Sequence, residues 1–407
     1  MIPLPTSLLS GLGDVDARGD EFTGVQVDSR RIAPGDLFVA VGRGADFVDD
    51  ARARGAAATL LPSDAFAALA AIGRAIRDRS PARVIGITGS MGKTSTKDIL
   101  AALCVPVAKT IASEASFNNE IGLPLTLARL EADTELCIVE LAMRGFGQIA
   151  ELSAIARPHV AVITNVGPVH LEFVDSLDGV VRAKSELLEA LPPGGIAVVP
   201  PDFPVVRDDL TVVRTPEPTV ARDDGRTVVD GVSFNFKARH QVPNAATALT
   251  AFRALGFVPP DRVDVEFTRS RGDEHELPDG GLLINDAHNA NPVSMRAALA
   301  YLAERAGDRR RVAILGEMLE LGRMGPQYHA EIAQVLEENG VDEVLAVGEL
   351  ARHYLDGNVR GRWVANVHEA LRELDDVVRA GDAVLVKASL AVGLGAVAEA
   401  LAGAPAH

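Results

Sequence analysis

The sequence predicts an α/β protein of three domains: a small α/β N-terminal domain, a central parallel-sheet domain of the phosphate-loop ATPase type, and a C-terminal Rossmann-like domain. Three observations predict it. At 407 residues the chain is longer than one ordinary hydrophobic core requires. Two long stretches alternate continuous apolar strands with helical patterns, as parallel sheets covered on both faces do. A glycine-rich turn, Gly89-Ser90-Met91-Gly92-Lys93-Thr94-Ser95, leaves the first apolar strand of the first such stretch.

Residues 1–79 form the expected N-terminal domain. Val25-Gln26-Val27 is a short strand, Ala33-Pro34-Gly35-Asp36 a turn, and Leu37-Phe38-Val39-Ala40-Val41 a buried strand. An alanine-rich helix over 65–77 comes next, and Ser80-Pro81 breaks the chain. The central domain spans 80–262. Its strands are Val84-Ile85-Gly86-Ile87-Thr88, Cys137-Ile138-Val139-Glu140-Leu141 and Val160-Ala161-Val162-Ile163-Thr164, with helices over 98–103, 180–188 and 244–255. The C-terminal domain, 263–407, repeats the alternation through strands at 282–284, 312–315, 344–347 and 383–386.

Composition excludes several partners. Forty basic against 56 acidic side chains leave a net charge of −16. Nucleic acid and anionic membrane are therefore not expected as ligands, and any phosphate must be held by a local device. The start, Met1-Ile2-Pro3-Leu4-Pro5, is not a signal peptide, and no apolar run is long enough to span a bilayer. Cys104 and Cys137 sit among apolar neighbours and read as buried free thiols of a reducing cytoplasm.

The glycine turn is that device. Backbone N–H groups of such a turn approach phosphate oxygens at the positive end of the adjoining helix. Gly89, Ser90, Gly92, Lys93, Thr94 and Ser95 would cradle ATP. Lys93 would reach the terminal phosphates, and the Thr94 hydroxyl would ligate Mg²⁺. The spacing, Gly-x-x-Gly-Lys-Thr, is shorter than the general phosphate-loop pattern, but the strand before and the helix after are in place. Glu140 and Asn165 end parallel strands, where ligands of such sheets sit. From pattern alone, Glu140 reads as a magnesium ligand or as a solvated strand-end carboxylate. His170 and Glu172 share a polar loop with Asn165, and Lys184 reads on its helix as a solvated lysine. Asn285-Asp286-Ala287-His288-Asn289-Ala290-Asn291-Pro292 leaves a buried strand as a binding turn or a helix-capping turn.

Together these residues resemble the Mur ligase family, most closely its MurF branch, in order and nearly end to end. The resemblance runs through Asp28-Ser29-Arg30, Pro34–Ala40, the phosphate loop, and Ser116-Phe117-Asn118-Asn119-Glu120-Ile121-Gly122-Leu123-Pro124. It continues through Glu140, the 164–172 loop, Arg182–Leu187, His240 with Asn244, 286–292, and Leu315–Gly322. In that family the short glycine spacing is normal. The resemblance implies an ATP-dependent amide ligase that joins D-alanyl-D-alanine to UDP-N-acetylmuramoyl-tripeptide through an acyl phosphate, in the cytoplasm, as a monomer. It implies two Mg²⁺ ions held by Thr94, Glu140, His170 and a carbamylated Lys184, with Lys93, His170 and Lys184 catalytic. Asn244, Arg271 and Asp286 would contact the nucleotide, the last two after domain closure. Ser29, Arg30, Asn118, Asn119, Asn165, His288, Asn289 and Asn291 would contact the substrates.

Four departures from the family pattern fall on substrate sides or the periphery. Val41–Phe47 lacks the Asp-Gly-His expected before the Phe. Pro200-Pro201-Asp202-Phe203 replaces an Asn-x-Asp-Asp, His288 replaces a Tyr, and Lys387-Ala388-Ser389-Leu390 loses an Arg. They leave open a second reading, a MurF-like amide ligase with a different acid and amine. A third, a non-catalytic Mur-like scaffold, is opposed by the retention of Lys93, Glu140, His170 and Lys184.

Overall fold

A computed structural model describes residues 1–268, 273–277 and 280–403. They form two compact units. The first comprises Met1–Asn165, Ala183–Phe236 and Pro243–Glu266; the second comprises Val166–Arg182, Lys237–Val242 and the chain from Phe267 onward.

The first unit is organised by a six-stranded sheet in the order Thr211–Arg214, Ile196–Val199, Val160–Ile163, Arg83–Thr88, Leu136–Glu140, Thr110–Ala112. Every pairing in it is parallel. Its middle strands are buried along their length, as the unbroken apolar runs require. The strand that feeds the glycine turn lies between the two strands that deliver Glu140 and Asn165, so the three polar ends are neighbours. A four-stranded sheet over the N-terminal residues runs Gly13–Ala17, Ala58–Pro62, Asp36–Val39, Gly24–Gln26. Asp64 caps the helix Ala65–Arg79, accepting from the N–H groups of Phe66 and Ala67.

A second four-stranded sheet, Val220–Asp223, Arg226–Val229, Val232–Phe234 and Arg262–Val263, was not expected from the sequence. Its signal is two Asp-Gly turns. Asp224-Gly225 and Asp230-Gly231 all have positive φ, the backbone of tight hairpins whose twist matches the strands they join.

In the second unit the sheet order is Asp273–Glu276, Leu282–Asp286, Ala383–Lys387, Arg311–Gly316, Glu343–Val347, Gly361–Val364. Only the Asp273–Glu276 edge pairs antiparallel. Alternate residues serve opposite faces. Leu282, Ile284, Ala313 and Leu315 join one core, while Leu283, Val312, Ile314 and Val384 join the other. The described helices include none long and apolar enough to cross a membrane.

Candidate active site

Two glycines make the phosphate loop possible. Gly92 has φ +76°, and a Cβ there would lie 2.1 Å from Asn244 Oδ1. A Cβ on Gly89 would lie 1.9 Å from Thr164 Oγ1. The loop is braced from the neighbouring strand end: Asn165 Oδ1 accepts from Met91 N (3.0 Å), Asn165 Nδ2 donates to Met91 O (3.1 Å), and Thr164 Oγ1 donates to the same carbonyl (2.6 Å). Ser90 N donates to the Asn165 carbonyl at 3.1 Å. Asn165 thus shapes the loop. Lys93 and Thr94 open the helix Lys93–Cys104, and Lys93 Nζ folds back onto Gly89 O at 2.8 Å. Ser90, Thr94 and Ser95 are buried at its base, and Asn244 is buried beside Gly92.

Glu140 is fully buried, so the solvated reading of that carboxylate does not hold. Thr94 Oγ1 donates to its Oε2 (2.8 Å) and Asn118 Nδ2 to its Oε1 (2.7 Å). Both donors are neutral, and among the described residues no cationic side chain pairs with it. A buried carboxylate without a cation is costly. A hard cation beside Thr94 would supply the missing charge, and hydroxyl and carboxylate oxygens suit Mg²⁺. The described residues contain no cluster of three or more His, Cys, Asp or Glu able to hold a metal. An ion here would therefore complete its shell with phosphate oxygens and water.

Lys184, on the helix Leu177–Glu189, is 2% exposed and makes no side-chain hydrogen bond or ion pair among the described residues. The surface-lysine reading fails. Burial first, and the charge of Lys93 second, hold its ammonium well below the ordinary lysine range. Both effects favour the uncharged, nucleophilic amine over the ammonium.

The other expected substrate residues of this unit serve the fold as well. Asn119 Oδ1 accepts from Ile121 N and Gly122 N, closing the turn into Gly122–Leu127. Ser29 is buried and hydrogen-bonds Asp50, and Arg30 forks onto Asp28. Its neighbour Arg31 instead lines a cavity of about 400 Å³ between the edge strand Gly24–Gln26 and Ile111, with Glu114, Phe117 and Arg129. Glu114 bridges the two arginines, at 3.1 Å from Arg31 and 3.4 Å from Arg129.

The second unit holds the remaining candidates. His170, with φ +54°, places Nδ1 2.5 Å from Glu320 Oε2, while Glu172 N donates to the Glu320 carbonyl. Asp286 Oδ2 accepts from Lys387 Nζ at 2.5 Å, and the same ammonium donates to Asn289 O at 2.7 Å. His288 is half-buried and Asn289 exposed. Asn291 is the N-cap of Pro292–Ala306, in a capping box with Ser294. Arg271 lies outside the described residues. Sequence reasoning missed Lys97, Glu320 and the Lys387–Asp286 pair, which only tertiary structure brings to their partners.

Two family models match the chain. The Mur ligase middle domain matches residues 87–252, and the Mur ligase, glutamate ligase domain matches residues 273–390. A UDP-N-acetylmuramoyl-tripeptide–D-alanyl-D-alanine ligase of Mycobacterium bovis is 34% identical, covering 95% of this chain and 93% of its own. The Escherichia coli (strain K12) enzyme of the same name is 31% identical over 86% of this chain and 87% of its own. Among solved structures, MurF from Acinetobacter baumannii superposes with a TM-score of 0.82 at 26% identity, covering 98% of this chain and 99% of that one. MurF ligase from Thermotoga maritima in complex with ADP gives 0.78 at 27%, covering 93% and 97%.

Proposed function

The chain belongs to the Mur ligase family, and from that premise we propose that it joins D-alanyl-D-alanine to UDP-N-acetylmuramoyl-tripeptide at the expense of ATP, in peptidoglycan precursor synthesis. It is an ATP-dependent ligase that forms a C–N bond. Glu140, buried beside the phosphate loop and without a cationic partner among the described residues, carries the mechanistic reading. The choice of substrates is supported by relatives that match nearly end to end. The reaction would take place in the cytoplasm.

The peptide's terminal carboxylate oxygen attacks the γ-phosphorus, and ADP leaves. The amine nitrogen then attacks the acyl carbon, loses a proton, and expels inorganic phosphate. The first step brings two anions together and the second develops negative charge on the acyl oxygen and the leaving phosphate, so positioning and charge neutralisation dominate the catalysis. Lys93 supplies positive charge at the loop, and the loop amides at the start of Lys93–Cys104 add the helix's positive end. Thr94 and Glu140 would hold Mg²⁺, which when bound neutralises the phosphoryl oxygens. Asn118 keeps Glu140 in place. An uncharged Lys184 amine would add CO₂ through its nitrogen, release one proton to solvent and become a carbamate, whose negative charge would suit a second Mg²⁺. Asn244 would face the adenine.

The test is direct. The full chain, given UDP-N-acetylmuramoyl-tripeptide, D-alanyl-D-alanine, ATP and Mg²⁺, should release phosphate and yield a product whose mass is the sum of the substrates less water. Bound ADP with no phosphate release would remove the substrate assignment. Lys93→Ala should abolish turnover while leaving the thermal melt near that of the parent.

A further inference from the structure

Lys97 takes no part in that chemistry, yet it is among the most deeply buried charges of the first unit, at 3% exposure. It sits one helical turn beyond Lys93 on Lys93–Cys104. An ammonium this deep needs partners for its three protons. It has three: Ser113 O at 2.7 Å, Ala115 O at 3.1 Å, and Asp98 Oδ1 at 3.0 Å. The two carbonyls flank Glu114, and between them the chain turns sharply. Ala115 has φ +45°, a left-handed conformation that costs an alanine about 1 kcal/mol or more. It persists only where the surroundings impose it.

On either side of this turn stand the supports of the metal carboxylate. Ser113 Oγ accepts from Glu140 N at 3.3 Å, and Asn118, three residues after Ala115, donates to Glu140 Oε1. The helix that begins at the phosphate loop therefore also grips, through its second lysine, the segment that orients Glu140.

We propose that Lys97 is a positioning residue: by holding the carbonyls of Ser113 and Ala115 it imposes the left-handed turn that brings Asn118 onto Glu140. The inference rests on Glu140 being a magnesium ligand. Among the described residues, Lys97 makes no side-chain hydrogen bond to the phosphate loop's own groups, so nucleotide binding without metal should not depend on it.

The experiment compares Lys97→Met, Lys97→Arg, Ala115→Gly, Ala115→Val and the double variant Lys97→Met/Ala115→Gly with the parent chain. ADP affinity is measured by calorimetry with and without Mg²⁺, and turnover is measured against Mg²⁺ concentration. Lys97→Met should raise the Mg²⁺ concentration for half-maximal turnover, and weaken the Mg²⁺-dependent part of ADP binding, by roughly 10- to 100-fold. Metal-free ADP affinity should be unchanged. Ala115→Gly alone should behave as the parent, and in the double variant it should recover several-fold of the loss, because glycine adopts the turn without strain. Lys97→Arg, which keeps the charge, should fall between. Ala115→Val keeps Lys97 but opposes the turn, so it should reproduce the Lys97→Met defect even if Lys97→Met fails to fold. An unchanged Mg²⁺ requirement in Ala115→Val, a parallel loss of metal-free ADP affinity in Lys97→Met, or no recovery in the double variant would each overturn the proposal. The calorimetric arm needs no acid or amine substrate, so a wrong substrate assignment would not mask its result.

Discussion

Lys387 Nζ donates to Asp286 Oδ2 at 2.5 Å, from the position directly across two parallel strands in register. The lysine side chain is 2% exposed and the aspartate 22%. That asymmetry predicts which half of the pair is harder to lose. Asp286→Ala leaves a buried ammonium with only the Asn289 carbonyl, whereas Lys387→Met leaves a carboxylate that water can reach. Urea unfolding should show a cost of about 3–5 kcal/mol for Asp286→Ala and clearly less for Lys387→Met. The reverse order would mean that Asp286, not Lys387, is the desolvated member.

Lys184 predicts a dependence on CO₂. Its amine is buried, and desolvation first and the charge of Lys93 second disfavour the ammonium. Protein depleted of CO₂ by degassing should lose activity and regain it on adding bicarbonate. ¹³C-bicarbonate should give a carbamate resonance that is absent from Lys184→Ala. Lys184→Ala should lose on the order of 10²-fold or more in kcat, as removal of a charge-stabilising group does, and acetate or propionate should restore part of it. Full activity in degassed protein would end the carbamate reading while leaving ATP binding intact.

Sequence reading succeeds for local requirements and stops where tertiary packing decides. The strands that carry Glu140 and Asn165 were legible because a strand buried on both faces is written as an unbroken apolar run. The phosphate loop was legible because its requirements are local: a strand, two glycines in tight quarters, and a helix. Burial of Lys184 was not legible. Its neighbours in sequence give an ordinary amphipathic helix, and only tertiary packing decides which face is covered. Ser29, Arg30 and Asn119 stood out in the sequence as special positions, yet each has a structural partner within three residues or across a helix: Asp50, Asp28 and the turn at Gly122. Lys97 gave no signal, since a lysine in the second turn of a phosphate-loop helix looks like any solvated lysine until its carbonyl partners fold onto it.

Arg310 predicts a stability cost at the opposite end of the second unit's sheet from the Asp286 turn. Its guanidinium bridges Glu343 (2.8 Å) and Asp382 (2.8 Å), which are 1% and 4% exposed, and donates to Val377 O. Three strand starts meet there. Arg310→Met leaves buried Asp382 without its cation and Glu343 with only the more distant Arg360, at 3.7 Å, and should cost about 3–5 kcal/mol in urea unfolding. Combining it with Glu343→Gln and Asp382→Asn should recover much of that loss, because the uncompensated charges go too. Strictly additive losses in the triple variant would show that packing of the arginine stem, not charge, holds the corner.

His329 predicts how the second unit responds to acid. Its Nε2 accepts from Met318 N at 2.9 Å and its Nδ1 faces Gly325 O at 2.7 Å, so the buried ring must be neutral with its proton on Nδ1. Protonating Nε2 would set two N–H groups against each other inside the core. Burial pulls its pKa from 6.5 down to about 4. Between those two values the unfolded chain binds a proton here and the folded chain does not. The contribution is therefore fully present above about 6.5 and is lost as pH falls toward 4, by about 3 kcal/mol across the window. His329→Gln removes the titrating group, so unfolding free energy measured at about pH 7, 5.5 and 4.5 should fall less steeply for the variant, by about one proton's worth of slope. Equal slopes for variant and parent would show that the acid response comes from other groups.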